Sequence, residues 1–188
     1  MTFYITKRAF LAFGTALALA LSGCTEQGDD AASGEQAEPG TQSISALIAG
    51  QDDLAIIGSL LSDSGLGDTF DGLAAYTVFA PTDAALGNLP DDFTGEAARP
   101  ALVAMLREHV MPGYVTVDDI TRAVEEGGGS VEMRTMGEGT LTFRAKGDNL
   151  VVSGGSGESA AIVQSEMLGG NGVVIPVDAV LKDFDPEA

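Results

Sequence analysis

The chain has 188 residues, 45% of them hydrophobic, and carries a formal net charge of −19. That length and apolar content suit one domain of ordinary size. The 28 acidic residues against nine basic ones argue against binding to nucleic acid, which needs patches of lysine and arginine. Basic proteins, cations and neutral glycans remain open as partners, whereas the simplest role of the acidity is solubility.

The first 23 residues have the pattern of a secretory signal peptide: a basic start, a mostly apolar run over residues 9–21 and small residues at the end. The run is shorter than the ~20 residues that span a bilayer. Cys24 directly follows Leu21-Ser22-Gly23, and this segment resembles the bacterial lipoprotein signal. The resemblance implies cleavage between Gly23 and Cys24 and acylation of the Cys24 thiol. The alternative is a signal peptide followed by an incidental cysteine.

Acylation implies a durable membrane anchor, because each buried acyl methylene contributes about 0.8 kcal/mol of membrane affinity. In the lipoproteins that this signal resembles, aspartate after the cysteine commonly marks retention in the inner membrane. Thr25 stands there, so the outer membrane of the bacterial cell envelope is favoured, with the domain in the periplasm or at the cell surface.

Residues 24–42 are predicted to form a lipidated, acidic, disordered tether. Their acidic residues are unopposed by any basic residue, and a polar segment with charge of one sign cannot offset the entropy lost on folding. The acidic residues are Glu26, Asp29, Asp30, Glu35 and Glu38.

From Ser43 onward the apolar residues recur at helical spacing. Ser43 can cap the first helix, and Pro100 suits the first turn of the longest one, which Pro112-Gly113 stops. Thr116 can start the last helix, which Gly127-Gly128-Gly129 closes. The predicted helices cover residues 44–48, 52–65, 83–86, 100–110 and 116–126.

Strands are predicted mainly in the last third of the chain, where short alternating segments are separated by glycine-rich turns. They cover residues 77–80, 130–135, 141–145, 150–152, 160–163 and 172–180. Helices followed by hairpins predict an α+β fold with a mainly antiparallel sheet, in one domain over residues 43–184, with a C-terminal tail at 185–188.

Three segments stand out, in this order along the chain: TVFAPTDAAL at 77–86, LREHVMPG at 106–113 and NGVVIPVDAVL at 171–181. Together they resemble the sequence boxes of the fasciclin domain family. Leu86 and Ile175 stand where the family usually has phenylalanine and histidine. The resemblance implies a compact α+β domain in which N-terminal helices pack on a mainly antiparallel β-wedge, used for adhesion and surface interactions rather than catalysis.

Within these segments, several residues suit structural roles. Thr82 or Asp83 can accept hydrogen bonds from the first free N–H groups of the following helix. His109 lies at a helix C-terminus, where an imidazole can meet free carbonyls. Asn171-Gly172 offers the positive φ of a tight turn, and Asp178 is expected to cap a nearby main-chain donor. The structural motif comprises Thr77, Phe79, Pro81, Thr82, Asp83, His109, Pro112, Gly113, Asn171, Gly172 and Asp178.

No pattern predicts catalysis, a cofactor or a metal site. His109 with a serine and a carboxylate could in principle form a triad, but the Gly-x-Ser-x-Gly elbow is absent. Acidic pairs could hold calcium loosely, yet none has the alternating oxygen ligands of a calcium loop, so solvated faces or helix starts are favoured. The pairs are Asp52-Asp53, Asp91-Asp92, Asp118-Asp119 and Glu125-Glu126.

Together these features predict a non-enzymatic adhesion or protein-interaction module, anchored in the envelope through acyl chains on Cys24. Its partner is expected to be an envelope or extracellular protein or glycan. The alternative is an envelope lipoprotein that binds a small ligand or glycan in an apolar pocket between helices and sheet.

Overall fold

A computed structural model describes residues 40–87, 89, 95–147, 149–155 and 159–182. The signal peptide, Cys24, most of the tether, the pair Asp91-Asp92 and the C-terminal tail therefore lie outside the described residues. Within the described ranges, no helix combines the length and the apolar character needed to cross a membrane.

The helices lie mostly in the first half of the domain, as predicted. The long helix predicted from residue 52 is instead a 3-10 turn, Asp52–Leu54, followed by a helix and then by a further short helix that the sequence does not predict. The helices are α1 (Ile44–Ala49), α2 (Ala55–Asp63), α3 (Leu66–Phe70), α4 (Asp83–Leu86), α5 (Arg99–Glu108) and α6 (Val117–Glu126), with a second 3-10 turn at Glu96–Ala98.

Two four-stranded sheets follow from the strand pairing. Sheet A has the order β2-β1-β8-β7 and sheet B the order β3-β4-β5-β6. All pairs are antiparallel except β1 with β8, which run parallel. The strands are β1 (Tyr76–Pro81), β2 (Val110–Pro112), β3 (Ser130–Arg134), β4 (Thr140–Lys146), β5 (Asn149–Ser153), β6 (Ser159–Ala161), β7 (Met167–Leu168) and β8 (Gly172–Val177).

Sheet A is buried on both sides: its central strands β1 and β8 are buried at nearly every position rather than at alternate ones, and Thr77 is their one buried polar residue. Val78 and Val174 point towards the helices α1–α5 and belong to their core. Phe79 and Ile175 point the other way, into a core shared with sheet B and α6. Only one side of sheet B contributes to that core, and its other side carries the exposed residues of β4.

Helix α5 ends earlier than predicted. It stops at Glu108, with His109 as its C-cap, and Val110–Pro112 forms β2 instead of a last helical turn. Val110 continues the helical spacing of the apolar residues of α5, but it pairs with Val78 of β1 and belongs to the edge strand β2. The prediction for residues 109–110 is wrong because pairing with β1 competes with the helix at that point.

Residues 40–42 contact the domain, although the sequence assigns them to the tether. The N–H of Gly40 donates to the carbonyl of Leu168 (2.8 Å), and the N–H of Gly170 donates to the carbonyl of Gln42 (2.8 Å). The domain therefore includes residues 40–42, which precede the start predicted at Ser43.

Candidate functional site

His109 is a polar side chain buried in the interior of the domain. It is 1% exposed, and its two ring nitrogens lie 2.9 Å from the carbonyl of Met105 and 2.9 Å from the N–H of Leu181. A carbonyl can only accept and a main-chain N–H can only donate, so the ring is neutral, with the proton on Nδ1 and Nε2 as acceptor. Burial lowers the pKa of His109 from 6.5 to about 4, against smaller opposing effects of Met105 and Glu108.

This arrangement gives His109 the predicted position at the end of α5 and adds a second role. The ring links α5 to the segment after β8, which lies 72 residues further along the chain. Both nitrogens are hydrogen-bonded to main-chain atoms and the ring is buried, so neither nitrogen faces a position that a substrate could reach. The geometry is that of a structural histidine rather than a general base.

Glu108, next to His109, is a buried carboxylate that sequence reasoning missed. It is 8% exposed and accepts hydrogen bonds from Thr135 Oγ1 (2.6 Å), Glu138 N (3.0 Å) and Gly139 N (3.1 Å). Lys182 Nζ lies 3.9 Å away. The side chain thus satisfies the free donors of the β3–β4 turn, and no local sequence signal relates residue 108 to that turn.

Asn171 joins three separate segments. Its Oδ1 accepts from the N–H of Ile44 (2.9 Å), where α1 begins, and its Nδ2 donates to the carbonyl of Phe70 at the end of α3. Its own carbonyl accepts from the N–H of Tyr76 (3.2 Å). The amide therefore ties two helices to the start of the parallel β1–β8 pair.

A tight turn over residues 169–172 joins β7 to β8, and the N–H of Gly169 donates to the carbonyl of Gly172 (2.8 Å), but the positive φ predicted for Gly172 is wrong. Gly172 is the first residue of β8 and is absent from the described glycines with positive φ. A Cβ there would lie 2.0 Å from the carbonyl oxygen of Tyr76 and 2.5 Å from Ile44 Cδ1. Close approach of two backbones, rather than an unusual dihedral angle, requires glycine at this position.

The expected capping of α4 is also wrong. Thr82 occupies the N-cap position but makes no side-chain hydrogen bond to the helix. Asp83 Oδ1 instead accepts from the N–H of Ile56 (2.9 Å), in the first turn of α2, whose own N-cap residue is the apolar Leu54. The aspartate therefore caps a different helix, 27 residues earlier in the chain.

The side chains of Thr77 and Asp178 also form hydrogen bonds with main-chain atoms. Thr77 Oγ1 donates to the carbonyl of Gly113 (3.0 Å) and accepts from the N–H of Val115 (2.9 Å). Asp178 Oδ1 accepts from the N–H of Ala161 (2.6 Å), which matches the capping role predicted for it.

The remaining motif residues shape the chain around β1. Phe79 is fully buried, and its ring centroid lies 5.4 Å from that of Phe143. Pro81 is the last residue of β1, and Pro112 is the last of β2. Gly113 follows with a φ of 109°, and its N–H donates to the carbonyl of Ala75 (2.8 Å).

The described acidic residues form no cluster of three or more that could hold a metal ion. Of the acidic pairs, Asp118-Asp119 lies at a helix start: Asp119 and Thr116 form a reciprocal capping box on α6, and Asp119 also pairs with Arg122 (3.2 Å). The hydrogen bonds from Thr116 lower the pKa of Asp119. Asp119 is therefore engaged in the local structure of α6.

A cleft of about 530 Å³ opens between α1, α2 and α3, and we call it the helical cleft. Ile48, Leu54 and Leu61 give it an apolar floor. Ser45 also lines it, and its buried hydroxyl has no hydrogen-bond partner within the described residues. An apolar floor with one free hydroxyl suits a small amphipathic molecule.

Comparisons with known proteins agree with this architecture. A model of the fasciclin domain matches residues 52–183. The protein sll1483 of Synechocystis is 24% identical over 151 residues, which cover 78% of this chain and 77% of that protein.

The fold is also similar to that of a solved structure, a FAS1 domain pair from the insect cell adhesion molecule Fasciclin I. The TM-score is 0.55 and the sequence identity 22%. The match covers 69% of this chain and 45% of the solved chain, so this chain spans less than half of that domain pair.

Proposed function

Because the chain belongs to the fasciclin domain family, we propose that it is a non-enzymatic adhesion module, held in the bacterial cell envelope by acyl chains on Cys24. Fasciclin domains are generally cell-adhesion or protein-interaction modules. The anchor is inferred from residues 1–24. The residue after the cysteine is Thr25 rather than an aspartate, which favours the outer membrane.

One observation supports a scaffold rather than an enzyme: the polar side chains of the family motif are directed at main-chain atoms. His109, Asn171 and Asp178 each bond to the main chain of a distant segment. Side chains used in this way hold the fold together and leave recognition to the exposed surface.

The test is complementation in a strain that lacks the protein. We expect the wild-type chain to restore attachment of cells to one another or to a matrix, and Cys24→Ala, which cannot be acylated, to fail although its domain folds. His109→Gln should restore attachment as well as the wild type does. Full restoration by Cys24→Ala would contradict the role of the anchor, and loss with a folded His109→Gln would favour chemistry at the histidine.

The helical cleft supports a second candidate, binding of a small apolar ligand. Replacing the exposed Ala55, which lines the cleft, by Trp should fill it and abolish binding of an apolar fluorescent probe. Ala46→Trp, at an exposed position of α1 outside the lining, is the matched control and should leave probe binding unchanged. Equal binding by both variants would exclude the cleft as the site.

A further inference from the structure

The basic residues are not spread evenly over the molecule. Of the nine, Lys7 and Arg8 lie outside the described residues. Arg134 is on β3, and Arg144 and Lys146 are on β4; all three are exposed. A large share of the cations of an acidic chain is therefore found on two neighbouring strands.

Strand alternation places these three cations on one surface. Leu141 and Phe143 of β4 point into the core, so Arg144 and Lys146 point outward. Arg134 pairs with Thr140, which is on the outward side of β4, and residues directly opposite in a ladder share a side. The three cations thus share the outward side of sheet B, and we call this surface the basic face.

Most of the other residues of the basic face are polar, and Val151 is half-buried among them. Arg144 pairs with Ser130 of β3 and Val151 of β5, and Lys146 pairs with Asn149. Thr140 and Thr142 lie on β4 between the cations, and Glu132 is the one described acidic residue on the face.

The cations of this face form no ion pair with a described carboxylate, and Glu132 offsets only part of their charge. The ion pairs within the described residues are Arg122 with Asp119 and Lys182 with Glu108, so the three cations of the basic face have no carboxylate partner there. Arg144 and Lys146, two residues apart on one strand, are separated by about 7 Å.

The acidity of the whole chain does not prevent this face from attracting anions. At physiological ionic strength the Debye length is about 8 Å, so exposed charges further away are largely screened. An anionic partner therefore responds mainly to the positive charge on the strand surface and much less to the net charge of −19 of the whole chain.

We propose that the basic face is a docking surface for an anionic polysaccharide whose sugars carry carboxylates. Arg144 and Lys146 bind the carboxylates, and the hydroxyl and amide groups of Thr140, Thr142 and Asn149 bind sugar hydroxyls. The proposal names a partner class for the proposed adhesion module and rests on that function.

The composition of the face favours this partner over other polyanions. The exposed large hydrophobic side chains of the described residues, Ile56, Leu73 and Val163, lie outside the strands of sheet B. Val151 is the one apolar side chain that β3, β4 and β5 place on the face, and it is half-buried, so the face offers little apolar surface for a protein hot spot or for entry into lipid. The face also carries no aromatic side chain on which a nucleobase could stack.

The test is a titration of the full chain, in non-ionic detergent, with an oligogalacturonate at 0.15 M salt. Arg144→Gln combined with Lys146→Gln should weaken binding at least tenfold. Arg99→Gln combined with Arg122→Gln changes the net charge equally at exposed positions elsewhere, and should change affinity less than twofold. Matched thermal midpoints would show that both variants fold.

Three further arms complete the test. Methyl-esterified oligogalacturonate, which lacks the charge, should not bind, and 1 M salt should abolish binding of the charged form. Equal weakening by the two double variants, binding of the ester, or no binding of oligogalacturonate would overturn the proposal. Preferential binding to anionic phospholipid vesicles would assign the face to a membrane instead. Attachment in the complementation test without oligogalacturonate binding would overturn this inference alone.

Discussion

The Nε2 atom of His109 accepts a 2.9 Å hydrogen bond from the main-chain N–H of Leu181. The same ring holds the Met105 carbonyl through Nδ1, so both bonds exist only while the imidazole is neutral. The end of α5 and the segment after β8 are therefore joined by a neutral group whose pKa burial lowers to about 4.

Acid should destabilise the protein through His109. Its pKa is 6.5 before folding and about 4 in the fold, so between these values the unfolded chain binds more protons. Stability is present above pH 6.5 and is lost as the pH falls to 4, by about 3 kcal/mol. Denaturant unfolding at several pH values measures this loss.

His109→Gln is the control for the pH dependence, because glutamine can donate and accept but does not titrate. Glu166, whose pKa is raised mainly by burial, acts in the opposite direction in both proteins and cancels in the comparison. The wild type should therefore lose more stability than the variant between pH 6.5 and 4. Parallel pH curves would mean that His109 is not buried and neutral.

Glu108→Gln should destabilise the fold by about 1–3 kcal/mol, because the new amide nitrogen would face the donors of Glu138 and Gly139. Glu126→Gln, at an exposed position at the end of α6, is the control and should stay within about 0.5 kcal/mol of wild type. Urea midpoints with unchanged slopes would measure both. A neutral Glu108→Gln would show that the carboxylate does not hold the β3–β4 turn.

Gly172→Ala should cost at least about 2 kcal/mol, because the added Cβ would lie 2.0 Å from the Tyr76 carbonyl in the parallel pair. Gly155→Ala, where a Cβ would meet nothing within 4 Å, is the matched control. Thermal unfolding of the two variants distinguishes a clash of the added Cβ with the Tyr76 carbonyl from a general effect of replacing glycine by alanine. Similar melting temperatures would remove the reason given for glycine at the start of β8.

The N-terminal boundary can be measured by truncation. A chain starting at Glu38 should unfold like the mature protein, whereas one starting at Ser43 loses the bonds of Gly40 and Gln42 and should be about 1–2 kcal/mol less stable. Equal free energies of unfolding for the chains starting at Glu38 and at Ser43 would show that residues 40–42 belong to the tether.

Cys24→Ala should abolish acylation and leave either uncut precursor or freely soluble protein. Fractionation in high salt without detergent, after incorporation of labelled fatty acid, checks this. A cleaved variant that still sediments with membranes would show that the anchor lies elsewhere.

Local sequence patterns determine much of this protein. The apolar spacing in residues 100–110 predicts α5, with its end two residues too late, and Thr116 with the apolar residues after it predicts α6, because a helix is stabilised by contacts three or four residues apart. Three ordered segments also identify the fasciclin family, whose model matches residues 52–183.

Tertiary structure decides what depends on distant partners. Asp83 caps α2 rather than its own helix, Val110 joins a strand, and Gly172 is required by the backbone of Tyr76. Each outcome depends on a contact between residues far apart in the chain, which a local pattern does not encode. The distribution of charge also depends on tertiary structure. The sequence determines a net charge of −19, whereas the pairing of β3 with β4 places Arg134 and Arg144 on the same side of sheet B. Strand register decides which residues share a face, and it is set by contacts between strands.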